Sequence, residues 1–144
     1  MKAQVDTRFT FRLHHLHHCI RLPVDVDWKS IPSLLAETLN TIVDKVRIIR
    51  NPVEAAFFLW VNLAYLQPFA DGNKRTGRLS ANMPLMLYNC APLSFLDVER
   101  SDYATAMLGI YEQRNVAAAV DLFEFIYRRS AISGTSRKQK SPSA

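Results

Sequence analysis

Residues 53–66, VEAAFFLWVNLAYL, are apolar at nearly every position, so no single face can be drawn through them. A helix with that pattern is central and surrounded by other elements. Asn51 is a capable N-cap, Pro52 suits the first helical position, and Glu54 completes a pattern like a capping box. Pro68 predicts the end of this helix at about Leu66. Upstream, Ile31, Leu34, Leu35, Leu39, Ile42, Val43 and Val46 follow helical spacing, which predicts a helix over 31–47 with Ser30 as its cap. Downstream, a helix is predicted from Asn73 to Asn89, with Leu79, Met83, Met86 and Leu87 as its buried stripe and Pro84 as an internal kink or lost backbone bond. Residues 101–114 and 115–130 read as two more helices, the last lined by Val116, Val120, Phe123 and Tyr127. Near the start, Phe9, Phe11 and Leu13 fall two apart, which predicts a strand or hairpin arm within 8–22. The expected architecture is all-α with a short β-hairpin: an arm over 1–22, a helical core over 23–131 and a disordered basic tail over 132–144.

Composition narrows this only a little. A chain of 144 residues, 49% hydrophobic and 22% charged, fits one globular domain. The formal charge of +5 includes the tail sequence SRKQK, so the fold itself is mildly basic. A solvated basic tail explains that excess more simply than affinity for a polyanion such as RNA, and a small anionic ligand such as a nucleotide fits the remainder equally well. Cys19 and Cys90 form no C-x-x-C pair, and two cysteines are too few for a disulfide scaffold. The N-terminus lacks the apolar stretch of a signal peptide, and 53–66 is shorter than the roughly 20 residues of a membrane span. A soluble, cytoplasmic protein is expected, with no membrane partner. Trp28, Phe57, Phe58, Trp60, Tyr65 and Tyr111 are read as core, and Cys90 as a small buried hydrophobe.

The chemistry concentrates in the loop between the two central helices, QPFADGNKRTGR at 67–78. A helix N-terminus leaves backbone N–H groups unpaired and carries the positive end of the helix dipole. Gly72 permits a tight turn and close approach of a ligand, and the N–H groups from Gly72 to Arg75 are placed to form an anion-binding concavity. Asn73 adds an amide donor, while Lys74, Arg75 and Arg78 add charge. Asp71 among these cations makes sense as a Mg²⁺ ligand beside phosphates. A P-loop is excluded: GNKRTGRL lacks the Lys-Ser/Thr pair after its second glycine and follows a helix rather than a strand. His14, His15, His17 and His18 do not make a structural zinc site, because a strand would offer two ligands per face where four are wanted.

The order of residues in this loop closely resembles the signature of the Fic (filamentation induced by cAMP) or Fido family, H-x-F-x-[DE]-G-N-G-R-x-x-R. Phe69, Asp71, Gly72, Asn73, Arg75 and Arg78 match in place, and the likeness extends over about residues 23–130. It implies a helical domain with the motif between two central helices, next to a β-hairpin flap. It implies transfer of AMP from ATP, with Mg²⁺, to a hydroxyl of a target protein aligned on the flap by strand addition. By the same resemblance Asp71 holds the metal and Phe69 anchors the loop in the core. The backbone from Gly72 to Arg75, with Asn73, binds the α- and β-phosphates, and Arg75 and Arg78 hold the outer ones.

Two positions depart from the family pattern. Lys74 replaces glycine, as in the Doc toxins of the family, which phosphorylate their target, yet Arg78, absent from those toxins, is present here. Gln67 replaces the histidine that takes the proton from the attacking hydroxyl. A carboxamide has no usable basic site near neutral pH, and losing a general base costs about 10²–10⁴ in rate. Positioning and phosphate stabilisation survive that loss. The expectation is therefore a nucleotidyltransferase of reduced activity, with two alternatives: a silent nucleotide-binding interaction module, or a Doc-like toxin kinase. The histidines at 14, 15, 17 and 18 are candidates for a substitute base. The family's inhibitory motif [ST]-x-x-x-E-[GN] has no convincing copy, so restraint is expected from a partner or from self-association.

Overall fold

A computed structural model describes residues 32–138, with side-chain surroundings for 32–134. Five helices follow one another: α1 (Pro32–Ile48), α2 (Pro52–Leu66), α3 (Asn73–Leu87), α4 (Arg100–Gln113) and α5 (Ala117–Lys138). The described residues contain no strand. The hairpin arm expected within 8–22, Trp28 and the four histidines lie outside the described residues. No described helix is long and apolar enough to cross a membrane.

The apolar segment forms α2, the centre of the molecule, which packs against each of the other four helices. It begins as its sequence predicts: the Asn51 side-chain oxygen accepts from the N–H groups of Val53 (2.9 Å) and Glu54 (3.4 Å), with Pro52 in the first turn. Trp60, fully buried, lies with its ring centroid 5.8 Å from Phe95, 5.9 Å from Phe123, 6.1 Å from Tyr103 and 6.4 Å from Phe57. These contacts join α2 to the connector after α3, to α4 and to α5. Val116, Val120 and Phe123 are buried on α5, and Tyr127 packs partly against the same core. The outer helix α1 commits less: Ile42 alone is fully buried there, in a small cluster with Leu59, Leu63 and Leu66.

The expected buried stripe of α3 is corrected. Leu79, Met83, Met86 and Leu87 are 72%, 61%, 67% and 80% exposed. The buried residues are Gly77, Ala81, Pro84 and Leu85. Small side chains let the α2 and α3 backbones approach closely: a Cβ on Gly77 would sit 3.7 Å from both the Trp60 ring and the Trp60 carbonyl oxygen. The helix continues through Pro84, which has no N–H to give to the turn before it.

The tail beginning at 132 is corrected as well, since α5 stays helical to Lys138. The connector at 91–97 supports the approach to that last stretch. The Ser94 N–H donates to the Ser130 hydroxyl (2.9 Å), Arg129 pairs with Asp97, and Gly134 lies against Ala91. On its other side the connector is held to α3 by Asn82, whose side-chain oxygen accepts from the Leu93 N–H at 2.6 Å.

Candidate functional site

The end of α2 and the start of α3 meet at residues 67–72. Gln67 closes α2 in the left-handed region (φ 46°), its N–H donating to the Leu63 carbonyl at 3.1 Å. Positive φ at a non-glycine residue costs on the order of 1–3 kcal/mol and needs surrounding structure to hold it. Asn73 supplies part of that structure. Its side-chain oxygen accepts from the Phe69 N–H (2.8 Å) and its amide nitrogen donates to the Phe69 carbonyl (2.6 Å), so one carboxamide holds both backbone polar groups of Phe69. One amide hydrogen of Asn73 remains for another acceptor. Phe69 itself is 50% exposed, which corrects its expected place in the core. The loop is anchored through the Phe69 backbone rather than through its ring.

Gly72 begins α3 with φ +81°, and nothing lies within 4 Å of where a Cβ would be. Its requirement for glycine is conformational, not steric. No side chain caps the helix there; the Thr76 N–H makes the first bond, to the Gly72 carbonyl at 2.9 Å. The N–H groups of Asn73, Lys74 and Arg75 therefore lie in the first turn with no side-chain acceptor, at the positive end of the dipole.

These groups border a cleft of about 490 Å³. The structure brings every motif residue given a catalytic, metal or nucleotide role onto its lining, namely Gln67, Asp71, Gly72, Asn73, Lys74, Arg75 and Arg78, while Phe69 stays off it. Ala70 and Tyr111 complete it. Asp71 and Arg75 face each other at 3.6 Å with side chains 94% and 79% exposed, a pair worth under about 1 kcal/mol and free to open toward a ligand. Arg78 is held differently. Its guanidinium carbon lies 4.4 Å from the Tyr103 ring centroid and 5.1 Å from that of Phe95, and its Nε is buried without a hydrogen-bond partner. Two aromatic faces fix the plane of this cation without satisfying its N–H groups.

Tyr111 was expected only in the core, yet it lines the cleft. Its hydroxyl meets the Met107 sulfur at 3.6 Å, and burial, with Tyr103 as a lesser cause, raises its pKa above the ordinary tyrosine value. Nothing in the spacing of α4 distinguishes a core tyrosine from one at a cleft edge. Among the described residues no group of three or more His, Cys, Asp or Glu gathers to hold a metal. Asp71 is the one carboxylate among the described residues that line the cleft. That fits Mg²⁺ held between a single protein carboxylate, water and substrate phosphates, rather than in a protein cage.

Comparison with known proteins agrees with the motif. Residues 26–85 match the family model described as Fic/DOC family. A curated protein of Nematostella vectensis named Protein adenylyltransferase Fic is 37% identical over 78 residues, which are 54% of this chain and 17% of that relative. The chain thus matches less than a fifth of its relative's length. No solved structure matches the chain significantly.

Proposed function

We propose, from the match of residues 26–85 to the Fic/DOC family model and the likeness to an adenylyltransferase, that the chain binds ATP at the tip of α3 and transfers AMP to a hydroxyl of a protein target, slowly because Gln67 stands where a base is needed. The single observation that carries this reading is the uncapped first turn of α3, opening into a cleft lined by Lys74, Arg75, Arg78 and Asp71.

The N–H groups of Asn73, Lys74 and Arg75 donate to the α- and β-phosphates, where the dipole favours negative charge. Lys74, Arg75 and Arg78 neutralise the phosphate chain. Asp71, whose pairing with Arg75 is solvent-exposed, would hold Mg²⁺, and the ion would add further neutralisation of the phosphates. Asn73 keeps the turn at Phe69 closed, so the donors are in place before the nucleotide arrives. In the transfer, the target oxygen forms a bond to the α-phosphorus, the bond to the bridging oxygen of pyrophosphate breaks, and the hydroxyl proton must leave. Gln67 orients that hydroxyl by hydrogen bonding but does not take the proton, so water receives it and the rate suffers.

The target is a protein, its alignment by strand addition resting on the hairpin expected from the sequence within 8–22, outside the described residues, and restraint comes from a partner or from self-association. Gln67 favours one other reading, a silent nucleotide-binding module; Lys74, with Arg78 beside it, does not decide between AMP transfer and transfer of the γ-phosphoryl group. ATP labelled at the α- or γ-phosphate separates the three: α-label on the target means AMP transfer, γ-label means kinase activity, and binding without label means the silent module. With Gln67→His, α-label transfer is expected to rise at least about tenfold. A variant that binds ATP but transfers nothing contradicts the transferase reading.

A further inference from the structure

A second cavity, of about 280 Å³, shares Lys74 and Arg78 with the first and lies between the starts of α3 and α4. Its other walls include Arg100, Phe95 and Tyr103. Three features set it apart from an ordinary solvated surface. Its cations have no carboxylate partner among the described residues, whereas Arg47, Arg75, Arg128 and Arg129 each have one. Neither Glu99 nor Asp102 lines it; Asp102 faces a separate cavity with Asp121. Tyr103 is 7% exposed and its hydroxyl is buried with no hydrogen-bond partner, while the Nε of Arg78 is in the same position. A buried donor left unmade is costly unless something fills it. The first turn of α4, which Arg100 opens, also lacks a side-chain cap.

We infer that Lys74, Arg78 and Arg100, with the Tyr103 hydroxyl as an added donor, form a second anion subsite that takes a diphosphate group. Lys74 and Arg78 line both cavities, so one anion chain held by these two cations would reach from the tip of α3 into this subsite. The diphosphate comes either from the outer phosphates of a nucleotide seated at the tip or from free inorganic pyrophosphate. The first source rests on the nucleotide reading above; the second does not. Arg100 would then discriminate between nucleotides by the length of their phosphate chains, a task that the motif residues at 67–78 do not cover alone.

The test is calorimetric titration of the whole chain with inorganic pyrophosphate, ATP and AMP, using wild type, Arg100→Gln, Tyr103→Phe and Lys45→Gln. Lys45 is an exposed cation on α1 that lines neither cavity and controls for bulk charge. Arg100→Gln is expected to weaken pyrophosphate about tenfold and leave AMP unchanged. Tyr103→Phe is expected to weaken pyrophosphate by about threefold without lowering the thermal midpoint, since the hydroxyl it removes has no partner. ATP weakened alongside pyrophosphate identifies the nucleotide as the source; ATP unchanged identifies the free anion. Pyrophosphate affinity unaffected by Arg100→Gln, or reduced equally by Lys45→Gln, overturns the subsite. AMP binding that is intact in that event leaves the nucleotide reading standing, so the two failures are distinguishable.

Discussion

Gly72 and Gly77, five positions apart at the start of α3, obey different rules. At Gly77, one turn inside the helix, backbone meets backbone: the Trp60 ring and carbonyl are an ordinary contact distance from a hypothetical Cβ. At Gly72, the helix tip, there is open space where a Cβ would be, but a left-handed backbone. The seam is specified by size and the tip by conformation and unmet hydrogen-bonding capacity. The division suits a binding site: a rigid seam fixes the axis of α3, and its tip is left uncapped and charged. Large side chains should therefore cost stability at the seam with little chemical consequence, and removing the charged side chains of the tip should cost binding with little effect on stability.

Substitutions can break that comparison in a definite order. Gly77→Leu should do the most damage, costing about 1–3 kcal/mol as the side chain wedges α2 from α3; chemical denaturation would read this, and an unchanged midpoint would mean the seam is not tight. Gly72→Ala should cost about 1–2 kcal/mol through backbone strain alone, with no clash to relieve, so a Gly72→Asn variant should recover part of the loss. Gly77→Ala should act in the opposite sense and stabilise by about 0.5–1 kcal/mol, because a methyl fits and alanine favours helix. Arg75→Ala should change stability by less than about 0.5 kcal/mol, its pair with Asp71 being solvent-exposed, yet weaken ATP about tenfold by isothermal titration.

The tip was legible in the sequence for a reason the seam was not. Fixed spacing of Asp71, Gly72, Asn73, Arg75 and Arg78 encodes a local geometry, and these residues do line one cleft with Gln67 and Lys74. Helix starts were equally readable, because Asn51 and Pro52 act within a turn of themselves. The face of α3 was misread because amphipathic reasoning gives buried places to large side chains. Here the largest apolar residues point outward, and close approach reserves the interface for Gly77 and Ala81. Phe69 misled in the same way: an aromatic ring suggested an anchor, whereas the loop is tied through its backbone by Asn73. The stacking of Arg78 between Phe95 and Tyr103 joins residues distant in the chain, so no local pattern announces it.

The central claim is that the uncapped amides at the start of α3 receive the phosphates of a nucleotide. Backbone amide NMR during titration with ATP and Mg²⁺ addresses it directly. The account predicts that the largest shifts fall on the N–H groups of Asn73, Lys74 and Arg75, with smaller ones at Gly72. Saturable ATP binding whose largest shifts lie elsewhere, or no binding at millimolar ATP, would contradict it.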